Sequence, residues 1–297
     1  MRKSFLSGLA VVLASFLVVS CSKDDNSSSN EVEERNETKE NEENNPSAED
    51  KRPFVYKALV EDVTGSWCPP CLYMIEAIRE AKNSTTPLKE RFAVVAIHDS
   101  GGRYDPMEIR GSDAILRHLT TLPSNDSEFP FHWSYPWLRL NRDQELFKSN
   151  AAQHIFERLE KNLTSPIGIK ISSKLTETGG TVSVSFKTAE NGLKDLKYNV
   201  FITEDNITYY QAGSGDYNFR HDDVLRAFYG DGSGNALETL TVGKEVTKAD
   251  LNFSYNLMSR EKLANVKVVV FVTNKNKAVV NVQEAKANET KDYQYAE

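Results

Sequence analysis

Cysteine is scarce in this chain, whose 297 residues include only Cys21, Cys68 and Cys71. A structural zinc site needs four ligands, and no second Cys-x-x-Cys motif is present to supply them. Covalent haem attachment would need a histidine directly after Cys71, where Leu72 stands. The five histidines are scattered without the spacing of metal ligands. The composition therefore predicts no metal and no bound cofactor, and it predicts packing or surface roles for the histidines.

The chain also lacks an apolar run of about 20 residues, the length that a membrane-spanning helix requires. The apolar run over residues 5–19 is shorter, follows two basic residues and ends beside Ser20 and Cys21. This order is typical of a secretory signal peptide. Residues 18–21, Val-Val-Ser-Cys, resemble the lipobox of bacterial lipoproteins, in which the signal is removed and the cysteine becomes an acylated first residue. We therefore expect a signal peptide over residues 1–21 and a lipid anchor to the membrane on Cys21.

Apolar side chains are nearly absent from residues 22–52, which contain eleven acidic and five basic residues. Such a segment buries too little surface to offset the entropy lost on ordering, so we expect a disordered acidic tether. Residues 22–25, Ser-Lys-Asp-Asp, resemble the acidic tags that send some lipoproteins to the outer face of the outer membrane. A solvated linker would have the same composition. The rest of the chain is nearly neutral and gives no indication of nucleic-acid binding.

About 245 residues follow the tether, more than one modest core usually needs, so we expect two domains. Residues 53–165 alternate strand and helix signals, which predicts an α/β domain with strands at 55–63, 92–97 and 137–140. Amphipathic helices are expected from Cys71 and from Ala152. Residues 166–297 predict an all-β, immunoglobulin-like sandwich domain. Its expected strands are 167–175, 181–188, 196–203, 251–255, 266–273 and 278–283, interrupted by one helix over 222–229.

The segment Trp67-Cys68-Pro69-Pro70-Cys71 lies between a predicted strand and a predicted helix. Three-residue spacing in a first helical turn brings two sulfurs within bonding distance, and the helix N-terminus favours a thiolate at Cys68. Pro69 keeps Cys68 extended, and Pro70 suits a first helical position. In an oxidising envelope, one close pair of cysteines is more consistent with a redox function than with a structural crosslink.

This arrangement resembles the thioredoxin superfamily, whose motif is Trp-Cys-x-x-Cys after a strand. The resemblance implies that Cys68 is the attacking thiol and that Cys71 is the buried resolving thiol. It also implies a buried acid six residues before the first cysteine, where Asp62 stands and would take the proton of Cys71. The alternative is that Asp62 or Glu61 merely ends an edge strand.

Thioredoxins also place a cis-proline against the dithiol, directly before a strand. Pro136 is the candidate, because a strand-like run follows it at Trp137. Pro123 and Pro130 are alternatives, but neither precedes such a run. Because cis X-Pro bonds are uncommon, this expectation depends on the resemblance. The predicted site consists of Cys68, Cys71, Asp62, Pro136 and Trp67.

Four segments occur in an order that resembles the outer-membrane-protein-28 related lipoproteins, a family of envelope proteins with a thioredoxin-like half and a β-sandwich half. The segments are residues 61–68 (EDVTGSWC), 137–142 (WLRLNR), 220–226 (RHDDVLR) and 268–272 (VVVFV). The resemblance covers about residues 53–285 and implies a location in the cell envelope more firmly than it implies an activity.

Two hypotheses for the function follow. In the first, the dithiol exchanges with thiols or disulfides of envelope polypeptides, with Cys68 forming the mixed disulfide and Cys71 resolving it. In the second, the protein is a non-catalytic outer-membrane lipoprotein whose thioredoxin fold is a scaffold and whose β-sandwich binds a protein partner. The retained dithiol favours exchange, whereas the large second domain favours the scaffold.

Overall fold

The computed structural model describes residues 46–122, 135–147 and 150–297. The expected signal peptide, Cys21, most of the acidic tether, Pro123 and Pro130 lie outside the described residues. The described residues contain three α-helices: α1 (Cys71–Asn83), α2 (Ser112–Thr120) and α3 (Ala151–Lys161). In that part of the chain, no helix has the length and apolar character needed to cross a membrane.

The described residues are mostly β, with strands in the following order. They are β1 (Phe54–Val55), β2 (Ala58–Thr64), β3 (Phe92–His98), β4 (Trp137–Leu140), β5 (Gln144–Leu146), β6 (Thr164–Ser165), β7 (Ile167–Leu175), β8 (Gly179–Thr188), β9 (Lys197–Glu204), β10 (Ile207–Thr208), β11 (Arg220–His221), β12 (Val224–Phe228), β13 (Asn235–Ala236), β14 (Val246–Ser254), β15 (Val266–Thr273) and β16 (Val279–Lys286). Short 3-10 turns cover Pro87–Arg91 and Lys262–Asn265.

A mixed sheet of nine strands organises the described part of the chain. Its order is β16-β15-β9-β12-β3-β2-β4-β5, and β13 also pairs with β9. Strands β2, β3 and β12 are mutually parallel, whereas the other pairings in this sheet are antiparallel. A second sheet contains three strands in the order β14-β8-β7.

Strands β2 and β3 are buried along their whole lengths, because both faces of the sheet are covered there. On one face, Val60 and Val94 pack against the apolar sides of α1 and α3. On the other face, Leu59 and Val95 belong to an apolar cluster that includes residues of α2 and of β16. This double burial explains the continuous apolar sequence of β3, as expected for parallel strands covered on both sides.

Strands β9 and β15 divide their side chains between two cores. Val200 and Val268 face the three-stranded sheet in one apolar cluster. Phe201 and Phe271 point to the opposite face and join the cluster that contains α2 and the β2–β3 pair. Successive strand residues point to opposite faces, so one apolar strand contributes to both cores.

The boundary predicted at residue 165 does not coincide with a break in the sheet. Strand β12, from the second predicted domain, pairs in parallel with β3 from the first, with Val224 opposite Ala96. Five strands that follow residue 165 thereby extend the sheet of residues 53–165, and the described residues form one compact unit.

The helix predicted over residues 222–229 is wrong, because this segment forms β12. Asp223 adopts a positive φ of 59°, which is incompatible with the start of a helix. The strand that follows is bonded on both sides, to β9 and to β3. Two strand partners and burial of the apolar side chains outweigh the weak helical preference of so short a segment.

Candidate active site

Cys68 and Cys71 form a disulfide at the junction between β2 and α1, with their Cα atoms 5.4 Å apart. The N–H of Cys71 donates to the carbonyl oxygen of Cys68 at 3.2 Å, so a tight turn leads directly into the helix. Pro69 and Pro70 in this turn are exposed. Both cysteines are buried, and Cys68 is only 2% exposed. The disulfide therefore lies beneath the surface, behind a solvent-facing pair of prolines.

Trp67 packs beside the disulfide and is held from two directions. Its indole Nε1 donates to the carbonyl oxygen of Asp99 at 2.9 Å. Its ring meets the edge of Tyr135 at a centroid distance of 5.1 Å. The peptide bond between Tyr135 and Pro136 is cis, as the sequence predicted. The strand pairing of Val63 with Trp137 brings this proline alongside the end of β2 that leads to the cysteines.

Asp62 is buried in β2, on the face that packs against α1. Its Oδ1 atom has no hydrogen-bond partner among the described residues, and the residue is 1% exposed. Burial, together with the charge of Asp223, raises the pKa of Asp62 to about 7. Because β2 lies between β3 and β4, Asp62 does not end an edge strand, and that alternative is wrong.

A cavity of about 190 Å³ adjoins Asp62 and is lined mainly by polar side chains. His221 is 2% exposed, and its Nε2 atom has no partner among the described residues. Burial and the neighbouring His98 lower the pKa of His221 to about 3. Asp223 binds Lys267 and Lys82. Burial alone would raise the pKa of Asp223, but these two lysines outweigh it and lower the pKa to about 2.

A buried histidine–aspartate pair supports the turn before Trp67. The Nδ1 atom of His98, the last residue of β3, lies 2.9 Å from Oδ2 of Asp105. The same carboxylate accepts from the backbone N–H groups of Ser66 at 2.7 Å and of Met107 at 2.9 Å. Burial alone would raise the pKa of Asp105, but its hydrogen bonds and His98 lower it to about 2. Asp105 thus fixes Ser66, two residues before Cys68.

The loop over residues 209–219, which we call the strap, joins β10 to β11 and reaches the disulfide. The side chain of Gln211 donates to the carbonyl oxygen of Cys68 at 2.9 Å and is completely buried. The N–H of Ala212 donates to the carbonyl oxygen of Ser66 at 2.8 Å. Residues from the second half of the chain therefore contact the Cys-x-x-Cys turn directly.

Of the residues of the predicted site, Trp67, Cys68 and Cys71 lie at the junction of β2 and α1, whereas Asp62 lies in β2 on the face toward α1 and Pro136 precedes β4. The structure adds residues that the sequence analysis did not select: His98, Asp105, Gln211, His221 and Asp223. The sequence does contain one indication of these residues, because the segment 220–226 supports the family resemblance. The helix predicted there gives no indication that the segment lies beside Asp62. Among the described residues, no group of three histidine, cysteine or acidic side chains is arranged to hold a metal ion.

Solved structures with a similar fold include HBP35 of Porphyromonas gingivalis, with a TM-score of 0.63 and 18% sequence identity. The match covers 80% of this chain and 76% of that chain, and at this identity it shows a shared fold alone. A beta-glucosidase from Kluyveromyces marxianus in complex with glucose matches with a TM-score of 0.22 and 14% identity, over 48% of this chain and 17% of that chain. A TM-score this low does not indicate a shared fold.

None of the curated proteins matches the chain. The family described as Outer membrane protein Omp28 matches residues 132–291, which include the segments 137–142, 220–226 and 268–272. This match covers more than half of the sequence. The chain therefore belongs to the Omp28 family of outer membrane proteins.

Proposed function

We propose that this protein is a lipid-anchored envelope protein that exchanges its Cys68–Cys71 disulfide with thiols of envelope polypeptides. The observation that carries the proposal is the position of the pair, bonded at the start of α1 directly after a central strand. The order β2-α1-β3, followed by α2 and then β4-β5-α3, supports a thioredoxin-like interpretation of this region. The cis peptide bond at Pro136 is consistent with the same interpretation.

The exchange begins when a thiolate of the polypeptide attacks Sγ of Cys68. The bond between the two cysteine sulfurs breaks, and its electron pair goes to the sulfur of Cys71. A second thiolate of the polypeptide then attacks the sulfur that is bound to Cys68, which closes a disulfide in the polypeptide and releases Cys68 as a thiolate. Two electrons pass from the polypeptide to the protein, and the reverse steps reduce a polypeptide disulfide.

Asp62 supplies or accepts the proton at Cys71 in this scheme. With its pKa raised to about 7, the carboxyl group is about half protonated near neutral pH. It donates a proton to the Cys71 thiolate when the disulfide opens, and it takes the proton back when the disulfide closes. The adjoining polar cavity offers Asp62 a site where water exchanges the proton with solvent.

Membership of the Omp28 family supports a location of this protein in the envelope or outer membrane. Lipid attachment at Cys21 would hold the domain there, because acyl chains bind a membrane through their buried methylene groups. Growth with labelled palmitate should mark the protein, and the label should be absent from the Cys21→Ala variant. Label that persists in this variant would exclude Cys21 as the anchor.

Trapping of the mixed disulfide tests the exchange itself. In cells that carry Cys71→Ser, the resolving thiol is missing, so Cys68 should remain bonded to its polypeptide partners. Non-reducing gels should show larger species that disappear with reductant. The matched Cys68→Ser variant should show none of them. Equal trapping by both variants would contradict the role of Cys68 as the nucleophile.

A second function is favoured by one observation, the burial of both cysteines. In this alternative, the region is a scaffold for binding a protein partner, and the disulfide only stabilises the start of α1. Absence of trapping by either variant, with the wild-type pair always oxidised in cells, would favour the scaffold.

A further inference from the structure

The strap contacts the Cys68–Cys71 turn from the side of the second half of the chain. Cys68 is 2% exposed and Cys71 is completely buried, although the two prolines between them face solvent. A thiolate must approach a sulfur in line with the disulfide bond, so a buried sulfur reacts only after its cover has moved. The described segment that bonds directly to this turn from outside the first 165 residues is the strap.

Three contacts hold the strap in place. The amide of Gln211 donates to the carbonyl oxygens of Cys68 at 2.9 Å and of Gly65 at 3.3 Å. The N–H of Ala212 donates to the carbonyl oxygen of Ser66 at 2.8 Å. Gly213 approaches so closely that a Cβ atom there would lie 3.2 Å from the carbonyl oxygen of Pro69. The strap thus donates hydrogen bonds to backbone carbonyl oxygens of the turn that contains Cys68.

The outer part of the strap is exposed and contains two glycines. Gly213 and Gly215 have φ values of +89° and +70°, conformations that glycine adopts without strain. Residues 215–218 are exposed, and the paired tyrosine rings of Tyr210 and Tyr217 face solvent at a centroid distance of 5.4 Å. The ends of the strap are held: β10 and β11 pair with each other, Ile207 and His221 in them are buried, and Asp223 binds two lysines. The strap therefore has fixed ends and an exposed middle.

We propose that the strap is a latch over the disulfide, that Gln211 is its holding residue, and that Cys68 reacts only when the strap is open. Opening frees the carbonyl oxygens of Ser66 and Cys68, which then accept from the backbone N–H groups of an extended polypeptide that takes the place of the strap. This inference rests on the proposed function for the identity of the occupant. The contacts between the strap and the turn do not depend on the proposed function.

The rate at which dithiothreitol reduces the purified mature domain, followed by gel shift after thiol labelling, tests the latch. Gln211→Ala removes a buried donor, so the rate should rise about tenfold, the effect of losing one good hydrogen bond. Asn218→Ala, an exposed substitution on the same strap, should leave the rate unchanged. Equal rates for wild type and Gln211→Ala, with both proteins folded by circular dichroism, would overturn the proposal.

A matched glycine pair gives an independent test. Gly213→Leu and Gly215→Leu both place a side chain at positive φ, but open space surrounds Gly215 and Pro69 lies against Gly213. Only Gly213→Leu should push the strap off the turn and speed the reduction severalfold. An equal acceleration by both variants would indicate general loosening, and it would contradict a specific latch at Pro69.

Amide hydrogen exchange tests the opening of the strap in the wild-type protein, without any substitution. The N–H groups of Ala212 and Ala96 each donate to a backbone oxygen at 2.8 Å, but Ala96 lies in a central strand. If the strap opens alone, Ala212 should exchange at least about 100-fold faster than Ala96. Equal protection would overturn the latch. Failure of trapping by Cys71→Ser, with the reduction rates still controlled by Gln211, would reject the polypeptide substrate and retain the latch.

Discussion

Strand β2 carries two adjacent buried acids that face opposite sides of the sheet and have opposite surroundings. Glu61 points toward the core that contains Phe271 and is bonded by Arg142, with Oε1 2.8 Å from Nη2 and Oε2 3.0 Å from Nε. Asp62 points toward α1 and the polar cavity, where its Oδ1 has no partner among the described residues. Each of the two residues is at most 1% exposed. Burial alone therefore does not distinguish a structural acid from a proton carrier, whereas the presence of a fixed cation does.

Glu61 and Arg142 form a buried ion pair. Arg142 is buried, and its guanidinium lies 4.7 Å from the centre of the Phe271 ring, so the pair also joins β2 to a strand of the second half. Both oxygens of Glu61 accept hydrogen bonds from Arg142, so this carboxylate has a fixed cation beside it. The unpaired carboxyl of Asp62, in contrast, retains its ability to exchange a proton.

Breaking the Glu61 pair should give the largest effect. Arg142→Met leaves an uncompensated buried carboxylate, and the free energy of unfolding should fall by about 3–5 kcal/mol. Unfolding in guanidinium chloride measures this loss. The double variant Glu61→Leu with Arg142→Met removes both charges and should recover most of the stability. If the double variant is as unstable as the single one, packing of the Arg142 stem rather than the stranded charge explains the loss.

Removing the charge of Asp62 should raise the free energy of unfolding, whereas breaking the Glu61 pair lowers it. Its pKa is raised in the folded protein, so the folded state binds an extra proton between about pH 4 and pH 7, and stability falls as pH rises through this window. Asp62→Asn cannot ionise, so it should be more stable than wild type above pH 7 by roughly 2–4 kcal/mol. At pH 4 the two proteins should be equally stable. Urea unfolding at pH 4, 5.5 and 8 measures the difference, and a constant difference across this range would exclude titration of Asp62 as its cause.

The cysteine pair was predictable from sequence, because three-residue spacing in a first helical turn brings two sulfurs together by short-range geometry. The selection of Asp62 depended on the resemblance to thioredoxins. A strand that ends before Trp67, a cysteine pair in a helical turn and an acid six residues earlier lie within ten residues of each other. The strands β4, β7 and β15 were likewise predicted with their observed bounds, since apolar runs without helical period carry a strong signal.

The remaining part of the site depends on one pairing that the sequence does not reveal. Gln211 and His221 reach the cysteines because β12 pairs with β3, which places Val224 opposite Ala96. The helix predicted over residues 222–229 hides that pairing. Strand β12 is bonded on both edges, and its residues 224–227 are also buried on both faces, so its sequence lacks the alternation of apolar and polar residues that would indicate a strand.

The smallest expected effect concerns Lys82, in the last turn of α1, whose ammonium group binds Asp223. The charge of Asp223 contributes to the raised pKa of Asp62, and Lys82 and Lys267 both offset that charge. Lys82→Met makes the surroundings of Asp62 more negative by one charge, so the pKa of Asp62 should rise further, by about half a unit to one unit.

Because the Lys82 side chain is one-third exposed, solvent screens its ion pair, and the free energy of unfolding should change by only about 1 kcal/mol. The infrared C=O band of the protonated carboxyl, assigned by its loss in Asp62→Asn, measures the titration of Asp62 directly. Its midpoint should move to higher pH in Lys82→Met. The matched change Lys244→Met, at an exposed position before β14, should leave the midpoint unchanged. A midpoint that stays fixed or falls in Lys82→Met would show that Asp62 is insulated from the Asp223 cluster, and that the lack of a cation beside it, as opposed to the charge of Asp223, distinguishes it from Glu61.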